Sequence, residues 1–438
     1  MASKIMLEKA RGYFAAICKK YFLKTRRKEL VIKMKSLIKS FSAVLLAALT
    51  AIMGIVGYYD ATLPEYYYVS GSGVSSLTCF FDVTLTAKED ALSASTDNCV
   101  EADAELKLFG IIPIKDAKVT KSDPPMLIPG GTPIGIKLLT DGVMVVKVQD
   151  VEKGVCPAVD AGICAGDNII EADGVKISSS SQLSEIISAS KGNTVQITLT
   201  RDGQTIQTAI NPVFSESDGT YKGGMWIRDS SAGVGTLTFI DPYTGIYGAL
   251  GHPISDCDTY KMLPLGSGEI ADVTITGYES GTRGCPGELY GKFVSGLASG
   301  SIIKNCDQGV FGKMTYASKK DAIPIAFKSE VKTGAAKMLA TIEGNSPKEY
   351  DVEIEKLSLS PAAKTKNIVI RVTDEELLEQ TGGIVQGMSG SPIIQDGKLV
   401  GAVTHVFVSD PTRGYGILIE DMLEEANELI ESSAGQAA

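Results

Sequence analysis

Residues 41–58 read FSAVLLAALTAIMGIVGY, eighteen positions without a charge. That length is close to the minimum for a helix crossing the hydrocarbon layer. Such a run cannot stand open in water, so it removes the start of the chain from any soluble core. Twelve Lys or Arg, from Lys4 to Lys39, precede it against only Glu8 and Glu29. Cations before the run and none just after predict an N-terminus inside and everything downstream outside. A cleaved signal segment shares this order of features, and a retained anchor is the expectation. Residues 1–40 then form a basic cytoplasmic leader. Met34-Lys35-Ser36 would also make a conventional start, leaving 1–33 as an extension.

The net charge of −10 over 438 residues therefore conceals an outer portion more acidic than the total. Nucleic acid is excluded as the main partner, because phosphate binding needs a concentrated basic face on the folded body. Of eight cysteines, Cys18 lies in the leader and seven lie beyond the anchor. Their spacing lacks the paired pattern of a zinc site, and Cys79 with Cys99 and Cys156 with Cys164 are candidate local disulfides.

Residues 59–131 read as a small β-rich stalk, with a strand-like run at 104–114, closed by a linker SDPPMLIPGG that breaks regular structure. In 132–214 the expected order is strand 135–139, strand 143–148, strand 168–172, helix 180–190 and strand 194–201. The runs PIGIKL from Pro133, AGICAGDNII from Ala161 and Asp173-Gly174-Val175 resemble a PDZ domain. That resemblance implies an α+β module whose first loop and strand, at Ile134, Gly135 and Ile136, hold an added peptide strand.

Residues 223–434 contain many short β-like runs broken by Gly, Asp-Pro and Asp-Gly, which predicts antiparallel sheets or barrels. Two hairpins are expected, one around Asp241-Pro242-Tyr243-Thr244-Gly245 and one around Asp396-Gly397. A helix is expected at 420–432 from its apolar period.

Within this region Gly387-Met388-Ser389-Gly390-Ser391-Pro392 has the form of a nucleophile loop. A serine hydroxyl needs a neighbouring base, and the oxyanion needs fixed donors. Glycines on either side of Ser389 allow the tight turn that would bring the N–H groups of Gly387 and Ser389 to one point. The same residues are ordinary turn formers, so the loop alone is weak evidence. Only His252 and His405 are available as base. His252, in GALGHP at a hairpin end, is preferred over His405, which reads as a strand histidine. Asp374 is the candidate partner of the imidazole, with Asp256, Asp272 and Asp307 as rivals. Asp374 reads equally well as the N-cap of a helix beginning at Glu375.

The runs GGIVQGMSGSP from Gly382 and GALGHPISD from Gly248, with GAVTHVFV from Gly401, resemble the stage IV sporulation protein B family of serine peptidases. The resemblance spans anchor, PDZ domain and peptidase domain. It implies a mostly β chain with a chymotrypsin-like double β-barrel and a C-terminal helix. It further implies His252, Asp374 and Ser389 as triad and Gly387 and Ser389 as oxyanion hole, with no cofactor or metal. The partners it implies are the chain itself as substrate, the membrane, and a membrane-bound regulator whose cleavage triggers sigma factor precursor processing. The implied location is the forespore membrane, with the peptidase domain between the two forespore membranes. The competing expectation is a non-catalytic PDZ scaffold with a degenerate peptidase domain. An esterase is disfavoured, because Ser391 stands where its nucleophile elbow requires glycine.

Overall fold

The computed structural model describes residues 2–70, 74–88, 100–294, 298–318 and 320–435. The chain divides into two units, Met1–Thr62 and Leu63–Ala438. The first is one helix, α1 (Ala2–Thr62). No proline occurs before Pro64, so nothing interrupts hydrogen bonding between the basic leader and the apolar run. Lys33–Thr62 is long and apolar enough to cross a membrane.

The second unit opens with five strands, β1 (Tyr66–Val69), β2 (Val74–Leu77), β3 (Val83–Ala87), β4 (Val100–Leu108) and β5 (Ile112–Lys121), in the order β1-β5-β4-β3-β2. The run 104–114, expected as one strand, folds back on itself. Phe109 and Gly110 both take positive φ, 55° and 69°, making the two-residue turn that matches strand twist.

Next come β6 (Met126–Pro129), β7 (Pro133–Val148), helix α2 (Pro157–Asp160), β8 (Asn168–Ala172), β9 (Val175–Lys176), helix α3 (Ser180–Ala189), β10 (Val195–Arg201) and β11 (Gln204–Ile210). The Ser179 hydroxyl caps α3 by accepting from Gln182 N. Asp167, fully buried, receives Arg201 bidentately at 2.6 and 2.7 Å and Cys164 N at 2.9 Å, which ties the GDN turn to β10. Cys156 and Cys164, expected as a pair, are both free thiols. Their sulfurs donate separately to Gly224 O and to Asp167. Cys99 lies outside the described residues.

After β12 (Val213–Ser215) and β13 (Thr220–Lys222) runs β14 (Met225–Ile240), then β15 (Ile246–Ala249), β16 (Leu265–Glu279), β17 (Glu288–Phe293), β18 (Gly300–Cys306), β19 (Gly309–Met314) and β20 (Ile323–Pro324). β7 and β14 pair antiparallel from Met225↔Val148 to Thr236↔Pro133. Through them the strands of 132–214 and those after 225 form one thirteen-stranded sheet. Met225 and Ile227 pack on the core of Val143, Val145, Ile169, Leu183 and Ile197. The first part of the peptidase region is therefore a half-barrel that runs into the neighbouring sheet.

The last part closes. β21 (Gly334–Ala340), β22 (Lys348–Leu357), β23 (Ile368–Val372), β24 (Pro392–Gln395), β25 (Lys398–Phe407) and β26 (Asp410–Leu418) form a barrel ordered β21-β22-β23-β26-β25-β24. Helix α4 (Glu375–Thr381) lies between β23 and β24 in sequence, and α5 (Ile419–Gly435) follows β26. Met422, Leu423 and Ala426 of α5 share a core with Phe239 and Phe311 of the half-barrel and Leu399 of the barrel, fixing the two to each other.

One sequence expectation fails here. Ile134, Gly135 and Ile136 were expected to offer a strand edge to a peptide. Instead they are buried between β14 (Gly235, Val234, Gly233) and β16 (Asp272, Ala271, Ile270). A strand paired on both sides has no free N–H or C=O row to give. A groove of about 940 Å³ lies elsewhere, lined by Ser184, Ile187 and Ser188 of α3 and by Met225, Trp226 and Ile227 of β14.

Candidate active site

The nucleophile loop is held from both sides. From β14, Thr236 N donates to Ser389 O at 2.9 Å, Thr236 Oγ1 to Gly387 O at 2.7 Å and Thr238 Oγ1 to Gly390 O at 2.8 Å. From β25, Val403 O accepts Gly390 N at 2.7 Å. Thr236 and Thr238 are buried, so these bonds are shielded from competing water. Gly390 has φ +96°, and a Cβ there would meet Thr236 O and Leu250 N. Only glycine lets the loop approach the half-barrel this closely.

His252 reaches the same place from β15. Leu250 takes φ +67°, unusual for a non-glycine, and Leu250 N donates to Thr236 O at 3.3 Å. The strand thereby turns, and His252, Ser389, Gly387, Thr404 and His405 line one cavity of about 560 Å³. His252 Nδ1 lies 2.9 Å from Pro253 O. A carbonyl oxygen can only accept, so Nδ1 carries the proton and Nε2 is left as the base.

The rings of His252 and His405 are 4.7 Å apart, centroid to centroid. Burial pushes the His252 pKa below its ordinary value, and Lys366 pushes the same way. For His405, desolvation, then His252, then Lys366 push it down to about 4. Both rings are thus neutral at neutral pH, the form a general base requires. Sequence reading had passed over His405 as a strand histidine; no local pattern could place it against a ring 153 residues away.

Two expected parts of the constellation stand differently. Ser389 Oγ donates to Thr404 O at 2.7 Å, not to a histidine, so the hydroxyl must turn about its Cα–Cβ bond before a base takes its proton. Asp374 does not meet His252. Its carboxylate caps α4, accepting Leu377 N at 3.0 Å, and accepts Asp351 N at 3.1 Å. The helix-cap alternative is the arrangement present, and Pro253 O occupies the Nδ1 side of the imidazole. Asp256 is committed to Thr259 and Arg228, and Asp272 to Ser299 at 2.6 Å. None of these carboxylates lines the cavity.

The N–H groups of Gly387 and Ser389 make no hydrogen bond among the described residues, whereas those of Gln386, Met388, Gly390 and Ser391 all do. Two unengaged donors flanking a serine in a cavity are what an oxyanion needs. As for metals, Asp256, Cys257 and Asp258 bring three ligand atoms within 4.8 Å. The Arg228 guanidinium already fills that cluster, contacting Asp256, Cys257 Sγ at 3.3 Å and Asp258 at 2.8 Å. A second cation there would meet a fixed positive charge.

Residues 219–423 match the family model of the SpoIVB peptidase S55, and residues 131–211 match that of a PDZ domain. No curated protein matches the chain. Among solved structures, the PDZ domain of an SdrC-like protein from Listeria monocytogenes is similar at 32% identity, covering 20% of this chain and 87% of that one, with a TM-score of 0.18. Residues 219–423 are thus a peptidase domain of the SpoIVB S55 type, and the chain is a serine endopeptidase with a PDZ domain ahead of its peptidase domain.

Proposed function

We propose that this chain is a membrane-tethered endopeptidase of sporulation signalling that cleaves itself and then a membrane-bound regulator, releasing sigma factor precursor processing. It acts at the forespore membrane, with the peptidase domain between the two forespore membranes. The family match and the apolar span of α1 support this reading.

The reaction runs through Ser389 and His252. Ser389 Oγ turns from Thr404 O, gives its proton to His252 Nε2 and bonds to the scissile carbonyl carbon. The oxyanion formed is met by the N–H groups of Gly387 and Ser389. Collapse expels the amine, which takes the proton back from His252, and water then hydrolyses the acyl-enzyme by the same steps. Asp374 acts at a distance, by capping the helix that leads into the nucleophile loop. The PDZ unit holds an extended peptide, the chain's own or a partner's, in the groove between α3 and β14, and so times cleavage. The observation that carries the catalytic reading is one cavity holding His252 and Ser389 beside two unengaged N–H groups.

The test is a mass-spectrometric map of self-cleavage products from wild-type and Ser389→Ala chains. Cleavage should vanish in the variant, which leaves the loop backbone unchanged. Persistence at the same bonds sinks the assignment. Equal biological function in Ser389→Ala and His252→Ala chains would instead favour a binding role.

A further inference from the structure

A second cavity, of about 680 Å³, adjoins the catalytic one and shares His405, Val406 and Val408 with it. Its walls carry two cations, Arg283 and Lys366, both exposed. Arg283 sits on a tight turn closed by Thr282 N to Cys285 O at 2.8 Å. That turn is fastened to the end of β25 by Gly284 N to Val408 O at 2.8 Å and by Arg283 Nε to Ser409 O at 3.0 Å. The bond to Ser409 uses Nε and leaves the Nη groups of the guanidinium for another acceptor. Lys366 Nζ lies over the Tyr415 ring at 5.4 Å, and Tyr415 is the cross-strand partner of His405.

Neither cation makes a salt bridge among the described residues. The two arginines on the strands of the closed barrel are matched, Arg371 with Glu353 and Glu355, Arg413 with Glu355 and Asp410. The chain holds 52 acidic residues against 42 basic ones, so partners were not scarce. Two unmatched cations in a cavity adjoining the catalytic one, on an acidic protein, attract negative charge.

We propose that Arg283 and Lys366 form a substrate subsite for an acidic side chain, so that bonds cleaved by this enzyme carry an Asp or Glu at one fixed position beside the scissile bond. This rests on the cavity of Ser389 and His252 being the catalytic one. The subsite also bears on the chemistry. Lys366 disfavours a proton on both histidines, and a substrate carboxylate beside it offsets that effect as His252 becomes an imidazolium. The negative charge that no carboxylate among the described residues brings to the histidines would arrive with the substrate.

The experiment offers the full-length chain in detergent a mixed peptide library, followed by matched peptides in which Asp or Glu is exchanged for Asn or Gln at each position near the cleaved bond. Acidic residues should be enriched at one position, with an acid-to-amide ratio in kcat/KM on the order of fivefold, falling at high salt. The ratio should approach one in Arg283→Gln/Lys366→Gln and turn toward Lys and Arg in Arg283→Glu/Lys366→Glu. No acidic enrichment in the wild type, or enrichment unchanged in the Gln double variant, overturns the subsite. Cleavage of the library by Ser389→Ala overturns the catalytic reading itself, whereas cleavage lost there but without acid preference in the wild type overturns the subsite alone.

Discussion

Replacing Gly390 by alanine should disable the enzyme while leaving it folded. Gly390 is the point where the nucleophile loop touches the strand pair that carries His252, and its φ of +96° lies where an L side chain is strained by about 1–3 kcal/mol. An added Cβ would stand 2.6 Å from Leu250 N and closer still to Thr236 O. Restoring an ordinary separation of about 3.5 Å requires a shift of ~0.9 Å from Leu250 N and ~1.4 Å from Thr236 O. Both neighbours are backbone atoms, one in β14 and one in the residue just after β15, so no side chain can swing aside. The loop carries Ser389 and the strand leads to His252, so the shift falls on the distance their proton must cross. A misplacement near 1 Å costs about a hundredfold in rate. We therefore expect kcat for peptide hydrolysis to fall on the order of a hundredfold in Gly390→Ala. The melting temperature should drop by only a few degrees, read by calorimetry on the same sample. A folded variant whose kcat stays within about threefold of wild type would refute the argument, because the contact would then not set the geometry of the pair.

Three further outcomes follow from the same geometry. Asp374→Asn keeps a good helix cap and should retain most of kcat, while Asp374→Ala should lose about 1 kcal/mol of stability in denaturant titration; a fall of about 10⁴-fold in kcat for the Asn variant would restore Asp374 as the imidazole's partner. Because the base must be neutral and the His252 value is pushed down, the acid limb of kcat/KM should lie below pH 6.5, and Lys366→Gln should move that limb to higher pH; an unmoved limb would mean Lys366 does not act on the base. Burial pushes the Asp167 carboxyl up, but Arg201 and Cys164 N outweigh it, so its pKa lies below the ordinary 3.8. The stability it contributes is present above that pH and lost as pH falls through the lowered value, and in Asp167→Ala this part of the acid-unfolding curve should be missing.

How much of this was legible beforehand depended on distance along the chain. Short-range signals were sound. The Asp396-Gly397 turn, with φ of 52° and 76°, joins β24 to β25 as expected, the hairpin after β14 forms, and the C-terminal amphipathic run is α5. Ser389 and His252 were visible because glycines and a rare histidine mark them. What was not visible depends on pairing across long separations. Thr236 and Thr238 carry no motif, yet they hold a loop about 150 residues later. Ile134–Ile136 has the sequence of a peptide-accepting strand, and only the arrival of β14 and β16 on its two sides removes it from that role. Asp374 shows the converse. Its local cap signal was the true one, and the resemblance to a triad position drew attention away from it.

The strand β14 begins among the core residues of the PDZ unit, at Met225 and Ile227, and ends at the threonines that grip the nucleophile loop. Family boundaries fall at 211 and 219, which invites cutting there to obtain two modules. A cut at that point would leave the groove between α3 and β14 without its Met225–Ile227 wall and the half-barrel without β7. The two halves should be cloned, crystallised and engineered only together, since a graft of a foreign PDZ domain would have to supply the very strand against which the peptidase is built.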